Sequence, residues 1–146
     1  MLYVVTGPPA AGKSSWVEAH ATGRDIVIDL DRITRALTAP GAPQWNQDPT
    51  VLRVAHRARY AAMEEAFAHR DEVGIYLIHT MPSAKWLARY ARLDAQIVTV
   101  DPGRDIVMER IAAMRDPEMR RVASRWYGQR PASSAPGPMP QASRHW

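Results

Sequence analysis

The chain has 146 residues, 46% of them apolar, and a formal charge of +4. That length and composition support one domain with one core. The absence of cysteine excludes disulfides and thiolate metal sites and favours a reducing compartment. The basic excess is almost all arginine, since Lys13 and Lys85 are the two lysines. Seven arginines lie between Arg104 and Arg130 against four acids, a local excess that suits an anionic ligand.

Residues 2–6 form a short apolar run rich in β-branched side chains and predict a buried strand. The run breaks at once into a glycine turn, too short for a signal peptide or a membrane span, so a cytoplasmic protein without a membrane partner is expected. A helix over 13–20 follows, then a strand over 25–29 and a helix from Asp31 to Leu37. Residues 38–49 read as a Pro/Gly/Asn loop. Asp48 and Pro49 give the N-cap and first turn of a long helix reaching about Arg70. Its apolar face is expected at Val51, Val54, Ala55, Ala58, Ala62 and Ala66. Strands over 74–79 and 95–100 alternate with helices over 82–92 and 104–115. Asp116 and Pro117 repeat the cap signature and open a last helix ending near Gly128.

Alternating strands and helices predict a three-layer α/β/α fold with a mainly parallel sheet of four or five strands. The domain is expected over 1–130. Residues 131–146 are too poor in buriable apolar surface to order themselves and read as a disordered tail.

The stretch from Gly7 to Ser15, GPPAAGKSS, fits the pattern Gly-x-x-x-x-Gly-Lys-Ser between a strand and a helix. Gly7 permits a sharp exit from the strand, and Gly12 lets main chain approach a phosphate without a β-carbon in the way. Main-chain N–H groups from Ala10, Ala11, Gly12, Lys13, Ser14 and Ser15 can turn inward onto a β-phosphate at the helix N-terminus. Lys13 can reach the β- and γ-oxygens, and the Ser14 hydroxyl can ligate Mg²⁺. Pro8 and Pro9, which lack N–H groups, precede these donors. ATP or GTP is the ligand this pattern predicts.

No Asn-Lys-x-Asp is present to read guanine, and Asp71–Gly74 imitates a switch motif but precedes its strand. A motor ATPase needs an apolar strand ending in an acid, whereas the candidate strand ends Ile78-His79-Thr80. A small kinase needs a phosphate loop, a base and arginines for the transferring phosphoryl. The second strand ends in VIDLDRITR, which puts Asp29 and Asp31 at the sheet edge where open α/β sheets bind ligands. Either can accept a proton. Arg35, one turn on from Asp31, can pair with a phosphate. Arg110 and Arg115 precede the Asp116-Pro117 break, the position expected of a lid that closes over ATP.

The phosphate loop, the aspartates after the second strand and the arginines before the final helix resemble the small P-loop kinases and ATPases. The 5′-hydroxyl polynucleotide kinases, including phage enzymes, are the nearest likeness. The resemblance implies ATP and Mg²⁺ as cofactors, and an aspartate that activates the acceptor hydroxyl with an arginine three residues later on the acceptor phosphate. Asp29 with Arg32 fits that spacing, whereas Asp31 fits the strand length and is the expected base. The acid that such kinases often carry after the third strand is replaced by His79. Trp45, in the segment that commonly covers the acceptor, can stack a base, with Arg53, His56, Arg57 and Arg59 nearby for phosphates. The leading acceptor is a nucleic-acid 5′-hydroxyl or a nucleotide. A nucleoside, a modified DNA base, a sugar or a UDP-sugar stays open, as does a nucleotide-binding module without transfer.

Overall fold

The computed structural model describes residues 1–42, 48–114 and 116–129. Its centre is a four-stranded sheet of β1 (Leu2–Thr6), β2 (Ile26–Ile28), β3 (Ile75–Ile78) and β4 (Gln96–Thr99), in the order β2-β3-β1-β4. Every neighbouring pair is parallel: Val4 lies opposite Leu77 on one side and Ile97 on the other, and Ile28 opposite Leu77. Parallel neighbours require crossovers, and helices supply them. These are α1 (Lys13–His20), α2 (Leu30–Leu37), α3 (Pro49–Ala68), α4 (Ala84–Arg92), α5 (Arg104–Met114) and α6 (Pro117–Gly128).

Alternation along the strands creates the layers. Leu2 and Val4 of β1, with Ile75 and Leu77 of β3, pack against Met63 and Phe67 of α3 and Tyr90 of α4. The intervening Val5, Tyr76 and Ile78 face the opposite way, onto Trp16 and Val17 of α1, Val107 and Ile111 of α5, and Ala123 of α6. The result is the three-layer α/β/α arrangement that the alternation of elements predicts. No helix among the described residues is long and apolar enough to cross a membrane.

The elements begin and end where side chains cap them. Asp25 does not join β2, because its carboxylate accepts from the N–H groups of Thr22 and Gly74. Gly74 therefore belongs to a structural turn, where a β-carbon would meet that carboxylate at 2.7 Å. The helix expected from Asp31 starts one residue earlier, at Leu30, with Asp29 as its cap. α4 starts at Ala84, two residues later than expected, because the Ser83 side chain accepts from Trp86 N–H. α3 keeps its Asp48 cap and ends at Ala68. Its buried stripe differs from the expected one and runs Ala55, Arg59, Met63, Ala66 and Phe67, while Val54 is 51% exposed. Ala55 and Ala66 are shared by the expected and the observed stripes, and the large side chains Met63 and Phe67 set the helix's rotation. The expected tail, residues 131–146, lies outside the described residues.

Candidate active site

All four strands point their C-terminal ends the same way, so the loops after them meet at one edge. After β1 the chain enters the glycine loop. Gly7 has φ +143°, and a β-carbon there would sit 2.1 Å from the Val100 carbonyl oxygen. Ala10 (φ 60°) and Gly12 (φ 106°) are also left-handed, a backbone form that turns successive N–H groups into a shared concavity. The Gly7 N–H bonds the Thr80 carbonyl at 3.3 Å, tying the loop to the end of β3. The Arg110 Nη1 reaches across from α5 to the Ala10 carbonyl at 2.9 Å.

The first turn of a helix has N–H groups with no partner inside it. In α2, α3, α4 and α6 a side chain of Asp29, Asp48, Ser83 or Asp116 takes that role. α1 starts on Gly12 with no side-chain cap. Its N-terminus opens on a cavity of about 590 Å³ lined by Pro9 to Ser14. An anion bound there would be the cap that the sequence leaves out.

Lys13 stands in this concavity, buried, with its Nζ donating to the carbonyls of Gly7 (2.9 Å) and Pro8 (2.6 Å). Burial lowers its pKa from 10.5 to about 8, although Asp31 and Asp29 pull the other way. Both aspartates line the same cavity. Asp29 is buried and accepts from the Asp31 N–H at 3.1 Å, so its carboxylate is occupied as the cap of α2. Asp31 carries no cap duty. Asp31 is solvent-exposed as a residue, and partial desolvation of its carboxylate at the cavity, with the neighbouring Asp29, raises its pKa above the ordinary value, against the opposing influence of Arg35 and Lys13.

The far wall comes from α3 and β3. Arg59 is 7% exposed and donates from Nη2 to the Ile78 carbonyl at 3.1 Å. His79 shares a 2.7 Å hydrogen bond with the Tyr90 hydroxyl. Burial, and then the Arg59 charge, lower the His79 pKa from 6.5 to about 4, so it is neutral at pH 7. Burial raises Tyr90 to about 12. In sequence Arg59 is one of three arginines of α3, with Arg53 and Arg57. What sets it apart is its place in the i, i+4 series Ala55-Arg59-Met63-Phe67, a cation on a core stripe.

The other expected residues are spread more widely. Gly7 and Ser15 support the loop without lining the cavity, whereas Ala10, Ala11, Gly12 and Ser14 line it. Arg32 and Arg35 are exposed and outside the lining. Trp45 and Arg115 lie outside the described residues. From the expected lid, the groups that line the cavity are Asp116, Glu118, Met119 and Val122. Arg120 and Arg121 of α6 border a separate surface hollow. α6 is also anchored: Trp126 Nε1 donates to the Thr80 carbonyl at 3.0 Å, and the Tyr127 hydroxyl to Asp101 at 2.7 Å. Among the described residues no group of three His, Cys, Asp or Glu side chains could hold a metal alone. The oxygen donors that do share the cavity, the Ser14 hydroxyl and the carboxylates of Asp29, Asp31, Asp116 and Glu118, are hard. They fit Mg²⁺, which keeps several waters and relies on phosphate oxygens for the rest.

A strand-loop-helix unit whose helix lacks its own cap, with a buried lysine in the loop, defines a P-loop nucleotide-binding protein of kinase-like build. The chain belongs to a family described as an AAA domain, whose model matches residues 2–130 and which includes many kinases. No curated protein matches the chain.

Proposed function

We propose that the protein is an ATP- and Mg²⁺-dependent kinase that transfers the γ-phosphoryl group to an acceptor hydroxyl. The observation that carries this reading is the sharing of one cavity by the uncapped start of α1, Lys13 and Asp31, whose carboxylate makes no hydrogen bond or ion pair among the described residues. The N–H groups of the loop hold the β-phosphate, and the Lys13 ammonium, released from the Gly7 and Pro8 carbonyls, neutralises the β- and γ-oxygens. A bound Mg²⁺ would lean on the Ser14 hydroxyl and screen the phosphate charge. Asp31 takes the proton of the acceptor hydroxyl while its oxygen attacks the γ-phosphorus. The bond from that phosphorus to the β-γ bridging oxygen breaks, and ADP leaves. Asp29 fixes the mouth of α2 and stands second to Asp31 as the base. Arg115, with Arg110 holding the loop, supplies lid charge to the transferring group.

The acceptor class we infer is a nucleic-acid 5′-hydroxyl end or a nucleotide, as in the polynucleotide kinases the sequence resembles. His56 lines the cavity and also an adjoining groove with Arg53, Arg57 and Tyr60, so basic and aromatic groups continue outward from the reaction site. Trp45 is assigned to base stacking and Arg32 and Arg35 to phosphate contacts on the same resemblance.

A second reading, nucleotide binding without transfer, draws on His79, which stands neutral where such kinases often carry an acid. Incubation with γ-labelled ATP, Mg²⁺ and a panel of 5′-hydroxyl DNA, 5′-hydroxyl RNA, nucleosides and sugars separates the two. Label in one acceptor, abolished by Lys13→Met and by Asp31→Asn, is the expected result. ATP binding with every acceptor unlabelled would leave the binding module standing instead.

A further inference from the structure

Arg59 is the group in the cavity whose state nothing described so far explains. A guanidinium has five N–H donors. One is spent on the Ile78 carbonyl, while Nε is buried with no partner. No ion pair holds the charge among the described residues. Burial accordingly lowers its pKa, partly offset by Tyr90, Tyr60 and Asp29. A buried and unpaired cation opposes folding unless something compensates it. Structural arginines in such places are normally saturated with carbonyls or carboxylates.

Its placement says which reactant it faces. α1, whose N-terminus holds the donor phosphates in the reading above, packs on one face of the sheet. α3 packs on the other. Arg59 therefore enters the cavity from the face opposite α1, bonded to the end of β3, between β1 with its loop and β2 with its aspartates. His56, one turn earlier on α3, lines the same cavity at its rim.

We propose that Arg59 builds a second oxyanion subsite, which takes a phosphate or carboxylate carried by the acceptor while the phosphate loop holds the donor. The planar guanidinium suits either oxyanion, since both accept paired N–H bonds. The bound anion replaces the missing partner of Arg59 and fixes the acceptor beside Asp31. The word acceptor rests on the kinase reading; the subsite itself does not need transfer.

The test is a binding experiment on the full chain saturated with Mg²⁺ and the β,γ-imido analogue of ATP. Inorganic phosphate and, separately, acetate are titrated at millimolar concentration by calorimetry. One or both should bind, and the stronger names the chemistry on the acceptor. In Arg59→Met the anion affinity should fall at least tenfold, with the affinity for the ATP analogue within about twofold of the parent. Arg59→Lys, which keeps charge and stem, should show a smaller loss of anion affinity. The melting temperature of Arg59→Met should equal or exceed the parent's, because an unpaired charge has gone. The proposal is overturned if neither anion binds the loaded parent or if the variants bind it equally well. It is also overturned if the variants lose the ATP analogue or stability instead. Anion binding that depends on Arg59 without any acceptor being labelled would sink the kinase reading alone.

Discussion

The two walls of the cavity are built on opposite plans. The wall after β1 uses main chain: three left-handed residues, an uncapped helix start and one lysine, all within eight positions of sequence. The wall from α3 and the end of β3 uses side chains, Arg59 and His79, with Tyr90 of α4 buried behind His79. The first wall tolerates no β-carbon at its hinge, whereas the second buries charged and polar groups that carry a desolvation cost. A main-chain wall binds a charge that any nucleoside triphosphate presents. A side-chain wall can be changed one residue at a time, which on the proposed kinase reading is where the choice of acceptor resides.

The largest effect falls on the hinge of the first wall. Gly7→Ala forces a β-carbon against the Val100 carbonyl at 2.1 Å in a left-handed backbone. Relief requires the loop to leave β4, with an expected loss of about 4 kcal/mol in urea unfolding. An unchanged midpoint would mean that the loop is not held as described.

Lys13 separates the work of the first wall from its stability. Lys13→Met should remove transfer and weaken Mg·ATP binding, yet stabilise the empty protein by about 1–3 kcal/mol near pH 7. The folded pKa is about 8 against 10.5 for an exposed lysine. Between those values the unfolded chain binds the extra proton, so parental stability rises as pH rises from about 8 to 10.5. The methionine variant should lack that rise, as denaturant midpoints across this range would reveal.

In the second wall the sign of the pH dependence concerns acid. His79 titrates near 4 when folded and near 6.5 when unfolded. The unfolded chain binds more protons between those values, so stability falls as pH drops from 6.5 to 4, by about 1–2 kcal/mol. His79→Gln should flatten that limb. A parent and variant with parallel acid limbs would place the burden on another group.

The same division governs what the sequence reveals. The strands, the glycine loop and the caps at Asp48 and Asp116 are local, and each is written in consecutive residues. Helix α3 is not local in this sense. Its expected apolar face is rotated from the observed one, and contact with β3 and α4 selects the face that carries Arg59 inward. Arg110 is similar: its bond to the Ala10 carbonyl, 100 positions earlier, joins α5 to the glycine loop and is announced by no local pattern. The anchoring of α6 by Trp126 on Thr80 joins residues 46 apart, a pairing that no periodicity announces.

The smallest expected effects divide the two aspartates, of which arginine spacing favours Asp29 and strand length favours Asp31. Asp29 is the cap of α2, so Asp29→Ala should cost about 1 kcal/mol, and Asp29→Ser should recover most of it. Asp31 makes no such bond, and its raised pKa means that its charge is held at some cost at neutral pH. Asp31→Asn should therefore leave stability unchanged or slightly improved while transfer is lost. The raised pKa also places the acid limb of the parent's transfer rate above the ordinary carboxyl range, because the base must be unprotonated to act. If instead Asp29→Ser abolishes transfer at full stability and Asp31→Asn retains it, the cap residue is the base, and the arginine three positions beyond it, Arg32, becomes the acceptor contact to test next.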